Sequence, residues 1–251
     1  MKPHQQLRAR LVDLFFPPRC VGCARVGFAF CPHCAQAVAP VVDPLCAHCG
    51  RPQPQPVELC NGCRSGGRDA LALVRVATLY GDPLRAAIHA LKYGGQPELA
   101  PLLARYLIAA AQQPPWPAIV PTLDGVILVP LHDQRLVERG YNQSALLAGA
   151  LADWFGLFHA DNWLERGRPT QSQIGLSALK RRQNMADAFV AGVEVVGKRL
   201  PLVDDVFTTG ATLTTCAQAL RLAGAAAVYG LALSTPTPTP GDSAGNGFGD
   251  S

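Results

Sequence analysis

The chain has 251 residues, of which 49% are hydrophobic and 16% charged, with a formal net charge of +4. That is enough for one sizeable core plus a small appendage, and it excludes a disordered or fibrous chain. No apolar run approaches the roughly 20 residues that span a bilayer, so no membrane span is expected.

The N-terminal MKPHQQLRARLVDLFFPPRC breaks its apolar run at Asp13 and lacks a small-residue cleavage site. It does not read as a secretory signal, and the cytoplasm is the expected location. Through Asp69 there are eight Lys/Arg against four Asp/Glu; thereafter the numbers are fourteen and fourteen. All the excess positive charge sits in the first quarter, a weak pointer to nucleic acid.

Eight of the nine cysteines form four C-x-x-C pairs: Cys20/Cys23, Cys31/Cys34, Cys46/Cys49 and Cys60/Cys63. One such turn presents two thiolates to one ion, and two turns complete a tetrahedral structural site, so four turns imply two Zn²⁺. A reducing compartment disfavours disulfides. Redox pairs usually come singly at a βα junction. Consecutive pairing would give Cys20, Cys23, Cys31, Cys34 and Cys46, Cys49, Cys60, Cys63; a crossed pairing also fits the spacing. Four thiolates saturate each ion, which leaves His33 and His48 as bystanders. With few large apolar residues, this region needs the metal as a staple. A composition shift near SGGRDA (65–70) places the module, with an N-terminal helix, at residues 1–69.

Beyond it the pattern alternates. LALVRVATLY predicts a strand, and DPLRAAIHALKY a helix opened by Asp82 with Pro83 at its first position. PELAPLLARYLIAAAQQ predicts a second helix ended by PPWP. The runs GVILVP and LPLVDD read as buried strands, YNQSALLAGALADWF and TLTTCAQALRLAG as helices, and AAVYGLAL as a last strand. Alternation of this kind predicts an α/β domain over residues 70–235, a mostly parallel sheet with helices on both faces. Cys216 lies beside the apolar stripe of its helix and reads as a buried small hydrophobe. The Pro/Gly/Ser/Thr-rich tail, 236–251, is expected to be disordered.

Asp204 and Asp205 end a buried strand, and Thr208-Thr209-Gly210-Ala211-Thr212 leads from them into a helix. Backbone N–H groups at a helix start, threonine hydroxyls and a turning glycine suit an anion. No lysine follows, so a nucleoside-triphosphate loop is excluded and a monophosphate fits better. The carboxylates would accept hydrogen bonds from vicinal sugar hydroxyls. A ribose 5-phosphate moiety meets both requirements. The plainer alternative is a surface acid pair beside a helix cap at Thr209.

An apolar run, two acids and T-T-G-x-T resembles the phosphoribosyl pyrophosphate (PRPP) motif of type I phosphoribosyltransferases. LFFPPRCVGC, the four C-x-x-C pairs, YGDPLRAAIHALKYGG, VPLHDQRLVERGYNQSALLA and RPTQSQIGLSALKRRQNMADAF narrow the resemblance to the ComF family, over about residues 11–235. It implies a type I phosphoribosyltransferase fold behind a double zinc ribbon, PRPP bound with Mg²⁺, and a link to DNA uptake in natural competence or to use of external DNA. By the same resemblance Arg135, Arg139 and Asn142 lie in the pyrophosphate loop. Arg168, Gln173, Arg181 and Asn184 lie in the family's mobile loop, and Lys92 points into the cleft. Read from the residues alone, Arg135 and Arg139 equally suit a solvated helix face, the 168–184 stretch a basic exposed loop, and Lys92 a helix end whose stem snorkels over apolar surface. The chemistry implied is displacement at the anomeric carbon of PRPP, with Asp204, Asp205, Arg168 and Arg181 as catalytic residues and an unspecified acceptor. Two other functions remain open: a non-catalytic PRPP or nucleotide-binding regulator, and an adaptor that binds single-stranded DNA or DNA-uptake proteins through the zinc module.

Overall fold

The computed structural model describes residues 17–65, 68–167 and 188–237. The expected N-terminal helix, most of the predicted tail, and Arg168, Gln173, Arg181 and Asn184 lie outside them. The N-terminal module carries two short helices, α1 (Pro32–Gln36) and α2 (Asn61–Ser65). The α/β domain then runs β1 (Leu73–Tyr80), α3 (Leu84–Tyr93), α4 (Leu99–Ala111), α5 (Trp116–Ile119), β2 (Val126–Leu128), α6 (Asp133–Arg139), α7 (Gln143–Phe155), β3 (His159–Ala160), β4 (Leu164–Arg166), β5 (Phe189–Ala191), β6 (Arg199–Val206), α8 (Ala211–Leu222) and β7 (Ala227–Pro236).

Five strands form one parallel sheet in the order β1-β7-β6-β2-β3, and β4 pairs with β5 antiparallel beside it. From β2 the chain crosses through α7 to β3; from β6 it crosses through α8 to β7, in the opposite direction. Right-handed crossovers running opposite ways place their helices on opposite faces. Accordingly α3, α4 and α7 share one buried cluster with Val203 and Leu231, while α8 shares another with Leu200, Leu202 and Val228. Between β2 and β6 the connections diverge, which opens a crevice at the strands' carboxyl ends.

The helices form for ordinary reasons. Helix α3 buries Leu84, Ala87, Ile88 and Leu91, an i, i+3, i+4, i+7 stripe. Its predicted opener, Asp82, does not cap it: the carboxylate pairs with Arg85 at 3.1 Å, and Pro83 occupies the N-cap without a side-chain bond. Helix α7 starts at Asn142, whose Oδ1 accepts from Ser144 N at 2.9 Å. The strands β3, β4 and β5 span only two or three residues, too few for a pattern to announce them.

The zinc module is built into the domain. Cys20, Cys31 and Cys34 belong to the cluster around α3, α4 and α7, whereas Cys46, Cys49, Cys60 and Cys63 belong to the one around α8. The two halves therefore straddle the sheet. Between them the chain runs along the open edge of β1: Val41 N donates to Ala77 O at 3.0 Å, Leu79 N to Ala39 O at 2.9 Å and Val74 N to His48 O at 2.8 Å. An edge strand left bare would invite pairing with other chains, and here the module covers it.

Candidate metal sites and sugar-phosphate crevice

The thiols assemble as consecutive pairs. Cys20, Cys23, Cys31 and Cys34 form one cluster and Cys46, Cys49, Cys60 and Cys63 the other, with the four sulfurs in each within 4.8 Å of one another. Tetrahedral zinc with Zn–S near 2.3 Å needs sulfurs about 3.8 Å apart. Cys23–Cys31 and Cys49–Cys60 separations of 3.6 Å and Cys46–Cys63 of 3.8 Å fit that ion. Backbone amides support the sulfurs, with Cys31 N reaching Cys20 Sγ and Cys60 N reaching Cys46 Sγ, each at 3.3 Å. These are two four-cysteine zinc sites, with consecutive rather than crossed pairing.

His33 is exposed, as expected of a bystander. His48 is not idle. Its Nε2 lies 2.9 Å from Leu71 O, an atom that only accepts, so Nε2 is the donor; Nδ1 lies 3.6 Å from Cys63 Sγ. The ring ties the second site to the first residues of the α/β domain.

Gly22 marks the tightest approach at the first site. A Cβ there would lie 2.8 Å from both Cys34 Sγ and Pro83 Cβ. Gly22→Ala should therefore disturb the first site and its seat on α3. The expected cost is about 1–3 kcal/mol, as for other overpacked contacts, with zinc content falling from two ions toward one. Elemental analysis and a thermal melt check both.

In the crevice, successive residues of β6 project to opposite faces. Asp205 meets Lys92, which closes the last turn of α3: the ammonium pairs with Oδ2, a fully buried oxygen that has this ion pair in place of a hydrogen bond. Asp204 accepts from Ser144 Oγ at 3.3 Å and, through the same Oδ1, from Asp205 N at 2.9 Å. Burial, and then the neighbouring Asp205 charge, push the Asp204 carboxyl well above the ordinary carboxylate range. Cys216 is fully buried as expected; burial and then Asp204 hold its thiol well above the usual range.

The loop after β6 turns at Gly210, where φ is +81°, a conformation that favours glycine. Thr209 Oγ1 accepts from Ala211 N at 3.3 Å, but the N-cap of α8 is Gly210, which makes no side-chain capping bond, so Thr209 does not occupy the cap position that the plainer reading gave it. The acid pair is also buried rather than exposed. Thr208, Thr209, Ala211 and Thr212 face solvent.

The connection after β2 lines the other side. Asn142 is committed to structure: besides capping α7, its Nδ2 donates to Val129 O at 3.0 Å. The Arg139 guanidinium lies 4.6 Å above the Tyr93 ring, beside Lys92, and donates to Gln143 Oε1 at 2.8 Å. Arg135 is exposed on α6. Tyr141 Oη donates to Leu91 O at 2.6 Å and ties this connection to the end of α3. Lys92, Asp204 and Asp205 are thus brought together, whereas Arg139 is engaged with Tyr93 and Gln143. Ser144 completes the group and was not anticipated; its only advance sign is a hydroxyl one residue into a helix that begins beside a buried strand.

Among known proteins, the double zinc ribbon domain model matches residues 11–64. The chain is 37% identical over 201 residues to DNA utilization protein YhgH of Salmonella typhi, covering 80% of this chain and 88% of that protein. It is 33% identical over 229 residues to Competence protein F of Haemophilus influenzae, covering 87% and 98%. This chain belongs to the ComF family. A ComF relative at lower identity, Competence protein ComFC of Bacillus subtilis, is 27% identical over 206 residues, covering 78% and 80%. Among solved structures, a glutamine PRPP amidotransferase from B. subtilis overlaps with a TM-score of 0.37 at 23% identity, over 57% of this chain and 26% of that one. The expected architecture, a parallel sheet with helices on both faces joined to a zinc-bearing N-terminal module, stands on the strand order and the two four-cysteine sites. No helix among the described residues is long and apolar enough to cross a membrane.

Proposed function

We propose that this ComF-family chain binds the ribose 5-phosphate portion of PRPP in the crevice between β2 and β6. The observation that carries this reading is a buried acid pair at the switch point of a parallel sheet, engaged by Lys92 and Ser144 and followed by a Thr-Thr-Gly turn into α8. Such a pair is costly to bury unless a ligand uses it. Vicinal ribose hydroxyls donate, and Asp204 and Asp205 accept. The 208–212 loop holds the 5-phosphate through backbone N–H groups and threonine hydroxyls, with the positive end of the α8 dipole behind it. Arg139 and Arg135 stand on the side where a pyrophosphate would lie, and the family resemblance assigns Arg168 and Arg181 to the same group.

The donor set suits magnesium only indirectly. One carboxyl favours its neutral form and the other is already paired with an ammonium. Magnesium, which favours phosphate oxygens and retains waters, would be held mainly by the ligand and would neutralise the pyrophosphate charge. The protein's own part is positioning: the two carboxyl groups fix the hydroxyls, and the loop fixes the phosphate. Bound PRPP then serves either as substrate for transfer to an acceptor or as a signal. The names of the relatives support either role in DNA uptake or DNA use. A reducing cytoplasm, where thiols stay available to zinc, suits the module.

The test is calorimetric titration of PRPP into zinc-loaded protein, with and without Mg²⁺, beside Asp204→Asn/Asp205→Asn. Loss of the charge-assisted acceptor at Asp205, worth about 1.5–3 kcal/mol, should weaken magnesium-dependent binding roughly tenfold or more, with the change at Asp204 adding to it. Absence of binding to either protein overturns the reading.

A second reading, an adaptor that contacts single-stranded DNA through the zinc module, draws on the basic excess before residue 70. It predicts affinity that falls steeply with salt and survives the double Asp variant.

A further inference from the structure

The two four-cysteine sites differ in a way that zinc binding does not require. In the second, Cys46, Cys49, Cys60 and Cys63 are all buried; in the first, Cys20, Cys31 and Cys34 are buried and Cys23 is exposed. Gly22, Ala24 and Arg25 around Cys23 also face solvent, and Arg25 adds a positive charge to the same turn. A metal-bound cysteine is a thiolate, the form that peroxides oxidise, and susceptibility follows exposure. Burial shields seven of the eight sulfurs and leaves Cys23 open.

A second sulfur stands ready beside it. Cys23 Sγ lies 3.6 Å from Cys31 Sγ, and a disulfide closes at about 2.0 Å. Cys20 Sγ is held instead by the Cys31 amide, at 3.3 Å. Cys216, the cysteine outside both sites, is buried.

The packing of the first site gives its oxidation a consequence. Cys20, Cys31 and Cys34 share a buried cluster with Leu84, Ala87, Ile88 and Leu91 of α3. At the start of that helix, Gly22 approaches Pro83 so closely that a methyl group would clash. At its end, Lys92 meets Asp205, and Leu91 O accepts from Tyr141 Oη. One ten-residue helix therefore joins the exposed thiolate to the crevice.

We propose that Cys23 is an oxidation site: a peroxide converts Cys23 and Cys31 to a disulfide, the first Zn²⁺ is released, and α3 loosens at the crevice. The Cys23 thiolate attacks one oxygen of hydrogen peroxide. An S–O bond forms, the O–O bond breaks and hydroxide leaves, giving a sulfenic acid. The Cys31 thiolate then attacks that sulfur, and an S–S bond replaces the S–O bond as a second hydroxide leaves. The two sulfurs together give up two electrons, the peroxide gains two, and two protons from solvent turn the hydroxides into water. Cys20 and Cys34 alone do not complete a tetrahedral site, so the ion departs with its charge unchanged. A dithiol reductant followed by Zn²⁺ restores the site.

The experiment adds hydrogen peroxide to the full chain loaded with both zinc ions. It follows metal release with a chromogenic chelator, cysteine pairing by peptide mass mapping, and amide hydrogen exchange on ice. One ion should leave roughly tenfold or more faster than the other. The new disulfide should join Cys23 to Cys31, with Cys216 and the second site still reduced. Exchange in α3 should rise roughly tenfold or more, while α8, on the second site's face, keeps its protection. Cys23→His leaves four ligands of kinds that zinc accepts and removes the exposed thiolate, so this variant should hold both ions and resist the same dose. Retention of both ions, their parallel loss, a disulfide other than Cys23–Cys31, unchanged α3 exchange, or a zinc-loaded Cys23→His of equal sensitivity overturns the proposal. If Cys23→His does not hold the first ion, the mapped disulfide and the order of metal release in the unsubstituted chain decide.

Discussion

Removal of zinc should unfold the whole protein, not only its N-terminal module. A structural zinc site contributes about 10–16 kcal/mol of apparent binding free energy at neutral pH. A folded domain has a total stability of about 5–15 kcal/mol. In a chain whose ribbons hung from a linker, those quantities would belong to separate units, and chelation would leave the α/β domain intact. Here the first four-cysteine site packs into the α3–α4–α7 cluster and the second into the α8 cluster. The segment between them hydrogen-bonds along β1. Loss of either ion opens apolar surface on one face and loosens the cover over the edge of β1, where exposed strands aggregate. Stripping with a strong chelator, or Cys49→Ser, should lower Tm by more than about 10 °C, the effect of several kcal/mol in a domain of this size, and turn the melt into an aggregating one. A calorimetric scan would show it. An unchanged high-temperature transition after loss of both ions would refute this integrated architecture.

Four C-x-x-C turns announce zinc in the sequence because ligand type and local spacing nearly define the site. The stretch from Leu200 to Thr212 was equally readable, since buried strand, acid pair, turn glycine and helix start are all local features. Contacts between distant segments were not. Nothing in YNQS says that Ser144 reaches Asp204, sixty residues on, at 3.3 Å. Lys92 fits a harmless helix end as well as a cleft, and only the packing of α3 against the sheet aims it at Asp205. Asn142 carried the opposite ambiguity: a polar residue in a candidate ligand loop turns out to spend both ends of its amide on capping α7 and holding Val129 O. The ribbon's place over Phe207 depends on Arg51 stacking on a ring far along the chain, which spacing alone cannot encode.

Substitution of Lys92 should be among the most damaging single changes in the α/β domain. Asp205 is 4% exposed, and its buried Oδ2 is met by the Lys92 ammonium. Lys92→Met preserves the stem that packs at the end of α3 and deletes the charge. An uncompensated carboxylate then remains beside Asp204, and loss of one partner of a buried pair costs about 3–5 kcal/mol. The double variant Lys92→Met/Asp205→Asn removes both charges and should recover most of that loss, so denaturant melts of the four-protein cycle isolate the pair. Asp204 imposes a pH dependence of its own. Its folded-state pKa lies well above its unfolded one, so between the two values the folded chain binds more protons, and stability declines as pH rises through that window. Asp204→Asn keeps an Oδ1 for Ser144 and Asp205 N while abolishing the titration. It should flatten this decline and raise Tm at neutral pH by about 2–4 °C, the effect of ~1 kcal/mol in a domain of this size. Under the sugar-phosphate reading the same change weakens ligand binding. A variant that gains stability and loses the ligand marks Asp204 as a residue kept for binding at the expense of the fold.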